Sequence, residues 1–312
     1  MRIEEVIIEY ITYRKALGEK FKSQTRALNT FCRFVGNDTE FELINESVIS
    51  NYLYAPQSKT TANSSVKYFI LKGLYTWAIA REYVREIPLP QDIPSMPDHI
   101  VPYIYSKEEL EKLFNSIMVY TKSCRYINPY VTQNILIFTY TLGLRIHETV
   151  FLKLKDIDLD ESLAIICESK FYKSRIVPFN GQVKTRLERY LEWRKMQGQP
   201  LDPETALFLD NRSNPITVDA IRGRFERIRE KSGIKRNDGA VYQPRIHDLR
   251  HTFAVNRLTT WYKEGKNVQE LLPALSTYLG HKNLSHTSVY LTMTENLLKE
   301  ANERFEKYAS HE

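Results

Sequence analysis

Cysteine is scarce in this chain of 312 residues: Cys32, Cys124 and Cys167 are scattered and odd in number. Such a set builds neither a disulfide framework nor the paired clusters of a zinc site, and it is expected to stay as reduced thiols in a cytoplasmic protein. No apolar run approaches the ~20 residues that a membrane helix needs, so no membrane partner is expected. The opening MRIEEVIIEY lacks a charged segment followed by an apolar one, and no signal peptide is expected. Internal repeats and low-complexity tracts are missing as well. Nor is there a carboxylate cluster at metal-ligand spacing, and neither a metal nor another cofactor is expected.

What remains is an ordinary globular composition with a basic balance. Hydrophobic residues make up 42%, charged residues 26%, and the formal net charge is +6. That charge is compatible with a polyanionic partner. The length favours two domains over one. Prolines at positions 88, 90, 94, 97 and 102 deny the stretch IPLPQDIPSMPDHIVP a regular helix or a central strand. We therefore place a linker at 89–102, a helical domain at 1–88 and a second domain at 103–312. The fold class expected is mostly α with a small β-hairpin or sheet, in two domains.

In the first part, IEEVIIEYITYRKALG and TRALNTFCRFVGN carry helical periodicity and stop at Gly18 and Gly36. NSSVKYFILKGLYTWAIAREYV shows an apolar stripe through Val66, Phe69, Leu71, Leu74, Trp77 and Ala78. Lys59, Lys67, Lys72 and Arg81 line its other faces, either as a solvated surface or as a contact for a polyanion. After the linker, SKEELEKLF opens with the capping box of Ser106 and Glu109, and YVTQNILIFTYTLGL is apolar enough to be a buried helix. LAIIC and RIVPF are β-rich runs on either side of ESKFYKS, a strand–turn–strand unit with Lys170 and Lys173 at its turn. Helices follow, one of them starting at the N-cap candidate Thr217 and ending at Gly233.

Several charged groups stand beside apolar helices, where an unpaired charge is costly. Arg145 follows the buried helix directly, and Glu148 is close enough to fix its guanidinium. In PRIHDLRHTFA, His247 and Arg250 lie one turn apart on one face, and His251 shares it. His247, His251, His281 and His286 together invite a zinc reading, but HDLRH lacks the glutamate of a zinc-protease helix, and its arginine opposes a cation. Two arginines, two or three histidines, a lysine and a tyrosine suit attack on a phosphodiester. Guanidinium forks neutralise the non-bridging oxygens, a lysine protonates the leaving alkoxide, and a phenol stores the bond as an ester.

These segments resemble the tyrosine recombinases, also called phage-integrase-type site-specific recombinases. LGLRIHE resembles the first arginine box, ESKFYKSRIVPF the β-hairpin lysine segment, HDLRHTFA the H-x-x-R box and LGHKNLSHTSVY the closing box. The resemblance implies catalytic roles for Arg145, Lys170, His247, Arg250, His281 and Tyr290, with Glu148 supporting Arg145. Tyr290 would attack to leave a 3′-phosphotyrosyl link and a free 5′-hydroxyl, His247 would accept or relay its proton, and Lys170 would protonate the leaving oxygen. Ser169 stands where many members have glycine, which leaves Lys173 as a competitor for the acid. The resemblance further implies a helical core-DNA-binding domain (SAM-like), with Lys59, Lys67, Lys72, Arg81 and Lys173 as DNA contacts. The implied partner is double-stranded DNA with paired recognition sites, held by a homo-tetramer on two duplexes. The amphipathic tail TENLLKEANERFEKY either folds back on its own domain or, as the resemblance implies, is exchanged between protomers. Two rivals share the chemistry or the fold: a type IB topoisomerase-like enzyme that relaxes DNA as a monomer, and a non-catalytic DNA-binding protein.

Overall fold

The computed structural model describes residues 1–54, 61–94, 101–120, 126–167, 174–240 and 242–292. The chain divides into two compact units, Met1–Ile100 and Val101–Glu312. Among the described residues no helix is long and apolar enough to cross a membrane.

Among the described residues the first unit holds four α-helices: α1 (Ile3–Ala16), α2 (Lys22–Val35), α3 (Glu46–Leu53) and α4 (Thr61–Ile79). Helix α2 ends where its period meets Gly36, whose φ of 101° a residue with a Cβ adopts only under strain. Their buried faces meet in a core that includes Ile3, Tyr10, Leu28, Phe31, Leu53, Leu74 and Tyr75. The sequence pattern misplaces part of the α4 stripe. Val66 and Phe69 are 57% and 44% exposed; Leu71, Leu74, Trp77 and Ala78 are buried as expected, joined by Ser64, Ser65, Tyr68 and Tyr75. A face that opens with serines escapes a reading of hydrophobicity alone; Ser64 earns its burial by donating to the Leu53 carbonyl at 2.7 Å. At the far end Leu89 is buried in the same core, and the Tyr68 hydroxyl donates to the Pro90 carbonyl at 3.2 Å.

In the second unit, helices α5 (Lys107–Tyr120) and α6 (Pro129–Thr141) pack together, and α7 (Ile146–Phe151) follows after a tight turn. Ser106 and Glu109 form the expected box: the Glu109 amide donates to Ser106 Oγ at 3.1 Å, and the Ser106 amide donates to Glu109 Oε2 at 2.9 Å. Three short strands, β1 (Ile157–Asp158), β2 (Leu163–Ile166) and β3 (Arg175–Pro178), make one antiparallel sheet in the order β1-β2-β3. Ile166 pairs with Arg175 and Ala164 with Val177, which sets Ala164, Ile166 and Val177 inward. Helices α8 (Gly181–Met196), α9 (Val218–Lys231), α10 (Asp248–Lys263), α11 (Val268–Leu279) and the single turn α12 (Ser285–Ser288) complete the unit.

Two apolar clusters hold this unit. The larger one spans α5 to α9 and the sheet, with Leu113, Ile135, Phe138, Leu187, Phe208 and Phe225 among its members. The smaller joins α10 and α11 to the segment beyond α12 through Phe253, Leu258, Leu272, Leu279 and Tyr290. Tyr140 and Tyr278 pack against both. The groups described next lie along this seam.

Candidate active site

Helix α6 ends in Gly143, whose φ of 58° turns the chain back so that Arg145 becomes the N-cap of α7. A Cβ on Gly143 would stand 2.4 Å from the Phe253 ring, so the turn and the close approach of α10 both require glycine. Glu148, in the first turn of α7, serves two purposes. One carboxylate oxygen accepts from the Arg145 amide at 2.9 Å, which caps the helix. The other accepts from Arg145 Nη1 at 2.7 Å. Arg175 arrives from β3 and forks onto the same carboxylate, Nη1 at 2.9 Å and Nη2 at 2.8 Å. Burial alone would raise the Glu148 pKa, but the hydrogen bonds and charge of Arg175, then those of Arg145, hold it at about 2.

Arg250 projects from the first turn of α10 and is 1% exposed. Its Nη1 donates to the Gly143 carbonyl at 2.8 Å, and its Nη2 donates to the Leu279 carbonyl. Arg145 Nη2 likewise donates to the Gly280 carbonyl at 3.0 Å. The turn at Gly280, φ 67°, thus presents main-chain oxygens to two guanidiniums and starts the segment that carries His281 and Tyr290.

His281 holds its Nδ1 2.8 Å from the hydroxyl of Thr287, a buried residue. Tyr290 is 3% exposed and puts its hydroxyl 2.9 Å from His251 Nδ1. His247 meets the His251 ring edge to face, with 4.7 Å between centroids. Burial first, then neighbouring positive charge, lowers the pKa of His247 to about 4, of His251 to about 3 and of His281 to about 3. All three imidazoles are therefore neutral near pH 7. Burial raises the Tyr290 phenol, and the charges of Arg250 and Arg145 partly oppose it.

Three guanidiniums (Arg145, Arg175, Arg250) surround one carboxylate (Glu148), which leaves two positive charges in excess at a largely buried place. Uncompensated positive charge at such a place is costly and favours an anion with several acceptor oxygens. Beside it sits a phenol whose hydroxyl is within hydrogen-bond distance of an imidazole nitrogen. Among the described residues no group of His, Cys, Asp and Glu is arranged to hold a metal ion.

The structure brings Arg145, Glu148, Arg250, His281 and Tyr290 together, with the ring of His247 against that of His251. Lys59, Lys170 and Lys173 lie outside the described residues. In the first unit, Lys67 Nζ stands 4.5 Å over the Tyr52 ring and Arg81 4.2 Å over Trp77, while Lys72 is exposed. Sequence reasoning missed Arg175, although the alternation of RIVPF sets it on the inward face with Val177, an odd place for an arginine without a buried partner. It also gave His251 no task beyond the zinc reading it set aside.

Residues 106–296 match the model of the phage integrase family. Over 310 residues the chain is 31% identical to a Sinorhizobium fredii protein named as an integrase/recombinase, y4rB, covering 97% of this chain and 96% of that one. It is 29% identical to the tyrosine recombinase XerC of Bacillus pumilus, covering 99% of this chain and 96% of the relative. Its fold is similar to that of the Tn1549 transposon integrase, solved in complex with transposon right end DNA: TM-score 0.70 at 18% identity, over 99% of this chain and 100% of that chain. A lambda integrase dimer bound to a core site gives a TM-score of 0.67 at 16% identity, over 95% of this chain and 97% of that chain. With most of its length matched by the family model and by full-length relatives, the chain belongs to the phage integrase family, the tyrosine recombinases, which are DNA strand-transfer enzymes acting in site-specific recombination.

Proposed function

We propose that this protein cuts and rejoins DNA strands through a covalent link between Tyr290 and a 3′-phosphate, in the service of a mobile element. The observation that carries the reading is the excess of two guanidinium charges over the Glu148 carboxylate beside the buried Tyr290 hydroxyl. Arg145 and Arg250 would neutralise the non-bridging oxygens of the scissile phosphate, and His281 would hydrogen-bond one of them. Lys170 would protonate the departing 5′ oxygen, with Lys173 as the competing acid. The transposon role draws support from the likeness to the Tn1549 integrase. The first unit would hold duplex DNA through Lys59, Lys67, Lys72 and Arg81, aided by Lys173 in the second. A tetramer would bring two duplexes together, each protomer lending its C-terminal helix to the next.

A nicked suicide duplex, which traps the covalent adduct on a denaturing gel, tests the chemistry. Tyr290→Phe is expected to bind the duplex like the wild type and to form no adduct. A covalent band from that variant would assign the attack to another residue.

A further inference from the structure

We propose that His251 takes the proton from the Tyr290 hydroxyl as that oxygen attacks phosphorus, and returns it when the strand is rejoined. The inference rests on Tyr290 being the nucleophile, as proposed above.

Tyr290 is 3% exposed, so its proton cannot pass directly to bulk water and must go to a neighbour. The His251 Nδ1 atom is 2.9 Å from the hydroxyl. Arg250 also faces the phenol, but a guanidinium only donates. His281 commits its Nδ1 to Thr287, and its ring centroid is 6.1 Å from that of Tyr290. His247 meets the ring of His251. With its own proton on Nε2, His251 offers Tyr290 the lone pair of Nδ1 at hydrogen-bond distance.

The step balances within the site. The Oη–H bond breaks and its proton forms the His251 imidazolium, the Oη–P bond forms, and the P–O5′ bond breaks as Lys170, the acid proposed above, supplies a proton to O5′. On rejoining, the 5′-hydroxyl attacks and the departing phenolate recovers its proton from His251. The groups facing His251 are Arg245, His247 and Arg250 near the start of α10, and Tyr290 and His281 from the closing segment. Burial first, then His247 and the charges of Arg250 and Arg245, keep the imidazole neutral and able to accept. A phosphodiester between Arg145 and Arg250 would offset their repulsion and make the imidazole more basic at the moment of attack.

The test uses the full-length protein, the nicked suicide duplex and a range of pH, with a half-site gel shift as the control for folding. His251→Asn keeps an acceptor near Nδ1 but cannot hold a proton. It should bind the half-site like the wild type, form adduct about 10²-fold more slowly and lose the acid limb of the pH profile. Replacing Tyr290 by 3-fluorotyrosine, whose phenol is more acidic, should shrink that penalty; a residue that only orients the ring would show no such relief. Wild-type rate and pH profile in His251→Asn would overturn the proposal. So would loss of the acid limb in His247→Asn but not in His251→Asn. Should His251→Asn fail to bind the half-site, His251→Gln and the fluorotyrosine protein with native His251 decide: a fluorotyrosine rate with an unchanged pH profile also overturns it. An adduct from Tyr290→Phe would instead bring down the nucleophile assignment itself.

Discussion

Arg175 and Glu148 form a two-pronged ion pair, 2.9 and 2.8 Å, in which both side chains are less than a tenth exposed. Arg175 also donates through Nε to the Tyr278 carbonyl at 2.7 Å. One guanidinium therefore ties strand β3, the carboxylate that fixes Arg145, and the end of α11.

Arg175→Ala leaves a buried carboxylate with half its partners. Loss of one member of such a pair costs about 3–5 kcal/mol, and urea unfolding should show a loss in that range. Arg175→Lys keeps the charge but not the fork, and should recover stability partly while adduct formation on the suicide duplex stays depressed. A stability change within about 0.5 kcal/mol for Arg175→Ala would mean that the pair is dispensable.

Gly280→Ala meets two obstacles. Its φ of 67° is left-handed, which costs a residue with a Cβ about 1–2 kcal/mol. The new methyl would also stand 3.0 Å from Arg175 Nη1. Because the Gly280 carbonyl accepts from Arg145, adduct formation should fall further than the stability loss explains. Equal binding and cleavage rates in wild type and variant would refute this.

Acid should weaken the fold from about pH 6.5 downward. In the unfolded chain His247, His251 and His281 take up protons near the ordinary 6.5, whereas in the folded protein they do so only at about 4, 3 and 3. Between those values the unfolded state binds more protons, so stability falls as pH falls. Glu148 adds a later loss: its carboxylate contributes of order 3 kcal/mol above its ordinary 4.5, lost as pH drops toward its folded value of about 2. Melting temperatures across this range should decline before the carboxylates titrate, and His251→Asn with His281→Asn should flatten the first part. A level Tm between about pH 7 and 5 would contradict the neutral histidines.

The choice between Lys170 and Lys173 is open to a chemical rescue. Lys170→Ala should cripple cleavage more than Lys173→Ala, and a 5′-bridging sulfur at the scissile phosphate should restore it, since a thiolate leaves without an acid. Rescue of Lys173→Ala alone would exchange the two roles.

Removing the residues after Met293 probes the assembly. Half-site binding should survive, while cooperative binding to a full site and strand exchange fall sharply in gel-shift and recombination assays. Parallel loss of half-site binding would place the tail in the protein's own core.

Much of this was legible in the chain itself. Helix ends at Gly36 and Gly233 and the caps at Ser106 and Thr217 depend on a few adjacent residues, and local chemistry announces them. The arginine and closing boxes were legible because a charge next to an apolar helix demands an explanation. Arg175 was not, because its partner Glu148 lies 27 positions away and only the strand register turns it inward. The contact between His251 and Tyr290 spans 39 positions and depends on how α10 meets the segment after α12, a packing outcome that no local pattern encodes. The stripe of α4 went astray for the opposite reason: serines buried by a hydrogen bond look like surface.

The carbonyls of Gly143, Leu279 and Gly280 hold the guanidiniums of Arg250 and Arg145. A main-chain oxygen keeps its identity whatever side chain is attached, so this part of the site is specified by the path of the backbone. Drift at a position such as 279 can proceed without touching the anchor, provided the replacement is apolar enough for the core and leaves the turn in place. What such a lineage cannot vary freely is the curvature of two short bends, and there the tolerance to substitution should shrink to glycine alone.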